Sequence, residues 1–323
     1  MARVPFGIDP FLLLILGSAG LAWFAPATGD VAMVLGWATK AAIALLFFGY
    51  GARLSARQAL AGLTHWRLHL AILGTTFVVF PLVGAGLLAL PDGAVASTTW
   101  VGLAFLTLVP STVQSSITFT SIARGNVAGA IVAATTSNVV GVVATPLLAA
   151  AVLPAVGGHS IGWGSVGQVA VQLLLPFVLG QASRRWTADV VAAHAPRLKL
   201  LDQFVVALVV FGAFSSFRAT QAWRGYTLTD LWVMLAVTLV LLAGAFSFTW
   251  WLGGRMRFNR ADRIALLFCG TKKSLATGVP MASVLFAPQL VGAMVLPLMI
   301  FHQAQLMASA VIARRFAADD PPD

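Results

Sequence analysis

An apolar run of roughly 17–27 residues, bounded by Pro, Gly or charge, recurs ten times along this chain. A run of that length is what an α-helix needs to cross a bilayer, and inside the bilayer the backbone has no water to bond, so each run is expected to be helical. The runs are Phe11–Pro26, Val31–Gly51, Trp66–Leu90, Thr98–Ile122, Val127–Leu153, Ser165–Ala182, Leu200–Phe217, Leu231–Trp251, Asp262–Phe286 and Pro288–Ala313. Composition agrees, since 59% hydrophobic and 9% charged residues leave too little charge to cover a soluble domain. The N-terminal run, with Arg3 before it and Ala25-Pro26-Ala27 after it, has the form of a signal peptide, but the internal repeat below includes it and assigns it to span 1. The expectation is an all-α, multi-pass protein of the bacterial inner (plasma) membrane.

The formal net charge of +10 invites a nucleic-acid reading, which the distribution of charge excludes. One set of inter-span segments holds Arg3, Arg53, Arg57, Arg67, Arg124, Arg184, Arg185, Arg197, Lys199, Arg255, Arg257, Arg260, Arg263, Arg314 and Arg315; the alternate set holds only Arg218 and Arg224. That asymmetry is the positive-inside pattern, and it places both termini in the cytoplasm with an even number of spans.

At an offset of 163 residues three matches appear. Leu12, Leu16, Gly17, Ala19 and Trp23 fall on Leu175, Leu179, Gly180, Ala182 and Trp186. Ala44-Leu45 and Phe48-Gly49 fall on Ala207-Leu208 and Phe211-Gly212, and Gly129-Ala130 with Val132 on Gly292-Ala293 with Val295. The chain therefore reads as a first repeat over 1–157, a second over 158–315 and a short cytoplasmic tail over 316–323. Five spans per half is odd, so the halves enter the membrane in opposite senses. Such inverted repeats serve alternating access in secondary transporters; a duplicated scaffold without transport is the competing reading.

The fourth span of each half is interrupted by polar residues. In the first, Pro110 precedes Ser111-Thr112-Val113-Gln114-Ser115-Ser116-Ile117-Thr118; in the second, Cys269-Gly270 leads to Thr271-Lys272-Lys273-Ser274 and on through Thr277 to Pro280. Pro and Gly free backbone groups that Ser and Thr can satisfy, and paired interrupted spans point to a midplane site. A Lys at mid-span costs about 2.5–3.5 kcal/mol, and Lys272 lies about 15 Å along the helix from Asp262. With no acidic residue at that depth, the ammonium groups need carbonyls, hydroxyls, water or an anionic solute. Neighbours on a helix point about 100° apart, so one lysine is expected to be structural and the other to face a cavity. Lys40 is read as a third buried cation, with Gly36 and Ala44 allowing close helix approach. Span 5 adds Thr135, Ser137 and Asn138; span 10 adds His302, Gln303 and Gln305, where His302 is either a proton shuttle or an interhelical hydrogen bond.

At these residues the chain resembles the bile acid:sodium symporter family, in its SBF-like branch. The stretches that carry the resemblance are Leu108 to Pro146, with Pro110-Ser111-Thr112-Val113-Gln114-Ser115-Ser116 and Ala123-Arg124-Gly125-Asn126-Val127, and Cys269 to Gln305, with Gly270-Thr271-Lys272-Lys273-Ser274-Leu275-Ala276, Leu296-Pro297-Leu298 and His302-Gln303. It implies ten helices, a panel domain of spans 1, 2, 6 and 7 and a core domain of spans 3–5 and 8–10, with spans 4 and 9 broken and crossing. In members that import bile acids it implies an organic anion between the domains and two sodium ions behind the crossing. The sodium ligands carry over in part. The Ser-Asn pair of span 4 matches Ser115-Ser116, a Gln of span 3 falls on Thr76, hydroxyls of span 5 fall on Ala130 and Ala134, and the Glu of span 9 falls near Thr271, followed by two lysines. The charge there is reversed, and lysine is expected to replace sodium.

The resulting expectation is a carrier for a small amphipathic organic anion resembling a bile acid or steroid conjugate, not an enzyme, with lipid as its surroundings. Substrate and ion contacts are assigned to Gln114, Ser115, Ser116, Thr118, Thr135, Ser137, Asn138, Thr271, Lys272, Lys273, Ser274, Thr277, His302 and Gln303, with Lys40 and Thr76 as cavity candidates. No cofactor or metal is expected: the single cysteine, Cys269, excludes a Cys-rich metal site, and no Ser-His-Asp set or carboxylate within a span is found. Sodium-coupled symport and a non-transporting membrane regulator or scaffold stand as alternatives.

Overall fold

The computed structural model describes residues 10–53, 65–90, 95–154 and 163–319. Apart from a short 3₁₀ turn at Ala222–Gly225, the regular elements among them are α1 (Pro10–Phe24), α2 (Gly29–Arg53), α3 (Trp66–Leu88), α4 (Ser97–Leu108), α5 (Gln114–Ile122), α6 (Val127–Val152), α7 (Trp163–Ala193), α8 (Ala195–Ala219), α9 (Leu228–Arg255), α10 (Arg260–Thr271), α11 (Leu275–Leu285) and α12 (Pro288–Ala318). Six of these, α2, α3, α6, α8, α9 and α12, are long and apolar enough to cross a membrane. Val34, Trp37, Leu82, Val240 and Met307 are each more than half exposed, a density of bare apolar surface that lipid accepts and water does not. The protein is a multi-pass membrane protein.

The chain divides into two compact units. The first comprises Met1–Arg53, Val169–Gly225 and Val279–Ala293. In it α1 and α2 pack on α8. The crossing of α2 with α7 is close because both contacts are glycines: a Cβ on Gly51 would lie 2.0 Å from the Phe177 carbonyl oxygen, and one on Gly180 2.0 Å from that of Phe48. At the end of α2, Arg53 pairs with both carboxylate oxygens of Asp202.

Three expectations are corrected in this unit. Asp202 is a carboxylate within a predicted span, and it is stable there because the Arg53 guanidinium pairs with it. Lys40 is exposed rather than buried, its ammonium 5.0 Å from the Trp37 ring centroid. A Cβ on Gly36 would meet nothing within 4 Å, so no helix among the described residues packs against that glycine. Gly17 likewise faces open space, whereas its repeat partner Gly180 sits at a helix crossing.

The second unit comprises Leu54–Gln168, Tyr226–Gly278 and Met294–Asp323. The run read as span 4 is two helices, α4 and α5, and that read as span 9 is α10 with α11. The breaks fall at 109–113 and 272–274. The second break comes after Gly270, which remains helical, and Pro280 is carried inside α11. The motif Ala123-Arg124-Gly125-Asn126 forms the turn from α5 to α6. Arg124 adopts φ 57°, a Cβ on Gly125 would lie 2.5 Å from Ile264, and the Asn126 side chain caps α6 by accepting from Gly129 N–H while donating to Asp262. Asn259 caps α10, and Thr227 with Asp230 forms a capping box on α9. The division between 157 and 158, residues 320–323 of the tail, and the positions of Arg3 and Arg57 lie outside the described residues.

Candidate functional site

Pro110 dictates the local chemistry of the first break, because a proline removes a donor and prevents α4 from continuing. The carbonyls of Thr107 to Ser111 then lack helical partners, and in a membrane protein each must be satisfied from within. Four different groups do so. The Thr107 and Val109 carbonyls accept from Lys273 Nζ at 2.7 and 3.0 Å, and that of Leu108 accepts from Thr145 Oγ1 at 2.9 Å. The Pro110 carbonyl accepts from the Ser274 backbone N–H at 2.8 Å, and that of Ser111 from Asn138 Nδ2 at 2.7 Å. Ser111 N–H itself donates to Ser137 Oγ. Gly141 lets α6 reach this turn, since a Cβ there would lie 2.7 Å from Pro110.

The second break is bracketed in the same way. Lys272 takes an extended conformation (φ −85°, ψ 148°) and ends α10. Ser111 Oγ donates to the Cys269 carbonyl and Ser116 Oγ to that of Phe268. Gln305 holds the main chain of Lys273 from both sides: its Oε1 accepts from the Lys273 N–H at 2.8 Å and its Nε2 donates to the Lys273 carbonyl at 2.9 Å. Those two bonds fix the amide orientation, so the second Nε2 proton points at His302 Nδ1, 2.9 Å away. His302 Nδ1 is therefore an acceptor, which assigns its ring proton to Nε2. Ser274 caps α11 by accepting from Thr277 N–H, and Thr277 Oγ1 donates to Asn138 Oδ1. The two nonhelical segments thus meet and are tied together by backbone and side-chain bonds.

Lys273 closes a third element into this hub. In α3, Pro81 offers no N–H, and the helix widens into one π turn at Thr75–Val79 in which Phe80 N–H reaches back to the Thr75 carbonyl. The Thr76 carbonyl, passed over by Phe80 and facing a proline five residues on, is left without a helical donor. Lys273 Nζ supplies it at 3.2 Å. Three carbonyl acceptors match the three protons of an ammonium group, and the Phe80 ring face lies 4.1 Å from Nζ to its centroid. Lys272 is placed differently. Its Nζ bonds Ser309 Oγ at 2.6 Å and lies 4.5 and 5.6 Å from the Phe119 and Phe268 ring centroids. Both lysines are fully buried. The expectation that one of them faces a cavity is corrected: unwinding at 272–274 sends them to separate buried partners.

Of the residues singled out from the sequence, the hub gathers Thr76, Ser116, Ser137, Asn138, Thr271, Lys273, Ser274, Thr277 and His302. Thr271 Oγ1 serves its own helix by donating to the Leu267 carbonyl. Ser115 bonds Thr112 Oγ1 and is half-buried, while Gln114 and Thr118 are exposed on the same helix. Thr135 is half-buried, and Gln303 holds a buried Oε1 without a hydrogen bond. Lys40, exposed in the first unit, takes no part in these contacts. Sequence reading passed over Gln305, Ser309, Thr107 and Thr145 as site residues. His302, Gln305 and Ser309 follow at three- and four-residue spacing, one face of α12, and that spacing was the available signal.

Residues 9–318 match the profile of the SBF-like CPA transporter family. An uncharacterised protein of Pseudomonas aeruginosa is 45% identical over 98% of this chain and 95% of its own length. YfeH of Escherichia coli, a candidate symporter, is 44% identical over 96% of this chain and 93% of its own. Sodium/bile acid cotransporter 7 of Danio rerio is 27% identical over 85% of this chain and 82% of its own. The resemblance carried by the two broken spans thus extends over almost the whole sequence, and the chain belongs to the SBF-like CPA transporter family.

Proposed function

We propose that the chain is a secondary transporter that moves a small amphipathic organic anion, of the bile-acid or steroid-conjugate kind, across the plasma membrane by alternating access. In this reading ten spans form two inverted five-span repeats with both termini cytoplasmic, and lysine takes the part that sodium plays in relatives. Support for the class comes from the family and from relatives named as a symporter and as sodium/bile acid cotransporters. The observation that carries the lysine reading is the Lys273 ammonium held by the carbonyls of Thr76, Thr107 and Val109. Unwound backbone carbonyls can coordinate a sodium ion, and here they converge on a cation delivered by the chain itself. Gln114 and Thr118, exposed on α5 beside the break, are polar groups that a solute can reach.

A second reading keeps sodium as the coupling ion, and the naming of relatives as sodium/bile acid cotransporters favours it. Proteoliposomes separate the two. Uptake of a labelled conjugated bile acid and of a steroid sulfate is measured with an inward sodium gradient and with choline at equal ionic strength. The proposal expects flux of at least one anion at the same rate in both. Sodium-dependent flux establishes the second reading, and absence of flux for both anions under either gradient returns the chain to a regulator or scaffold.

A further inference from the structure

The ends of α9, α10 and α12 border an open, surface-facing cavity of about 300 Å³ lined by Trp250, Phe258, Arg260, Arg263, Phe316 and Asp319. It lies within the second unit, at the opposite end of α10 from the lysines. Both guanidinium groups are fixed in position. Arg263 lies over the Trp250 ring at 3.9 Å to its centroid and donates an NH2 proton to the Trp250 carbonyl at 3.1 Å. Arg260 lies 5.9 Å from the Phe316 centroid and donates to the Phe316 carbonyl at 2.7 Å. The Trp250 and Phe316 rings stack at 5.0 Å between centroids, which braces the two supports against each other. Arginine loses little further rotamer freedom on binding a ligand when its plane is already held by stacking.

The charges that line the cavity are unbalanced. The lining carries two guanidinium groups against one carboxylate, Asp319, so it retains a positive charge. A phosphate group answers that excess, since guanidinium N–H groups match its oxygens and its charge balances it. The position selects the carrier of that phosphate. Trp251, Met307 and Val311 are more than half exposed and continue from this end along the lipid-facing surface, so the cavity sits at headgroup depth with an acyl-chain surface beside it.

We propose that this cavity is a binding site for a phosphate-bearing headgroup, that of an anionic phospholipid, distinct from the lysine hub. The test uses the full chain, purified in detergent and titrated separately with phosphatidylglycerol, phosphatidylcholine and inorganic phosphate, with bound species read by native mass spectrometry. Phosphatidylglycerol is expected to be retained in preference to phosphatidylcholine. The Arg260→Gln/Arg263→Gln double variant is expected to weaken that retention about tenfold. Arg314→Gln/Arg315→Gln, which removes equal charge from the same end outside the cavity, is expected to leave it unchanged. If the double variant in the cavity fails to fold, Arg260→Gln alone, at an exposed position, gives the same comparison. Displacement of phosphatidylglycerol by inorganic phosphate alone would assign the same chemistry to a soluble phosphate and overturn the lipid assignment. Equal retention of the two lipids, or equal losses in the two double variants, overturns the site.

Discussion

Replacing Lys273 by Met keeps the unbranched side chain up to its last atom and removes the three donors. The carbonyls of Thr76, Thr107 and Val109 then lose the partner that satisfies them inside the protein. A buried unsatisfied acceptor costs about 1–3 kcal/mol, so the three together cost roughly 3–9 kcal/mol. Against this, a thioether needs no desolvation, whereas burying an ammonium costs several kcal/mol. The net expected loss is about 3 kcal/mol, in line with the breaking of other buried charged contacts. Lys272→Met goes the other way. It relieves the same desolvation and leaves a thioether against the Phe119 and Phe268 rings, and the one hydrogen bond lost is to Ser309 Oγ; that hydroxyl can turn back to the carbonyl four residues earlier, that of Gln305. Melting of the purified variants in one detergent, followed by size-exclusion fluorescence, reads the difference. At roughly 2 °C per kcal/mol for a chain of this size, Lys273→Met melts about 6 °C below wild type and Lys272→Met at or above it. Equal melting of Lys273→Met and wild type, or an equal fall for both variants, refutes the carbonyl cage.

Further outcomes follow from the same geometry. Wild-type protein melts at one temperature in sodium and in choline at equal ionic strength, while Lys273→Ala, which empties a carbonyl-lined space, gains a sodium-specific rise approaching about 2.7 kcal/mol at a hundredfold excess over Kd; a sodium response in wild type contradicts the replacement. Gly141→Ala places a methyl 2.7 Å from Pro110 and lowers stability by about 1–3 kcal/mol in the same melting assay, and a neutral result means the break can shift freely. Gln114→Ala with Thr118→Ala removes anion flux from proteoliposomes at unchanged melting temperature, because both side chains are exposed; retained flux moves the solute contact elsewhere. For topology, a membrane-impermeant thiol reagent added from the periplasmic side labels Ser160→Cys and spares Arg57→Cys, and the reverse pattern overturns the orientation.

What the sequence made legible is what depends on local chemistry. Pro110 beside a hydroxyl-rich run predicts a broken helix whatever surrounds it, and two lysines at span depth predict a polar interior. The division of labour between the lysines depends on distant partners. Lys273 Nζ reaches residues 197, 166 and 164 positions away, and no local pattern encodes that. The same limit explains Lys40, whose mid-span place suggested burial although burial is set by which helices pack there. Gln303 is assigned to the site with His302, as part of the stretch that carries the family resemblance, and Gln305 is not. The phase of α12 against the second break decides between them, and only the face shared with His302 and Ser309 hinted at the answer. The π turn of α3 was hidden for a different reason: Pro81 signals a distortion, but its form depends on the lysine that takes up the orphaned carbonyl.

The lysine cage also bears on how a carrier of this kind is driven. Where a dissociable cation joins converging carbonyls, the state of the hub depends on ion concentration, and an ion gradient can license one conformation over another. An ammonium attached through the chain has no bath concentration to follow. Its contacts with Thr76, Thr107 and Val109 form whenever the main chain brings Lys273 into place, and Gln305 holds that main chain by its N–H and its carbonyl. A ligand shifts an equilibrium only by its differential affinity for the two states, so in the proposed mechanism sodium has no purchase at this position. The energy that moves the anion must then enter through the anion's own gradient or through a second solute bound elsewhere. In that proposed mechanism the cage would preserve the architecture that the ion stabilises while removing the ion's control over it.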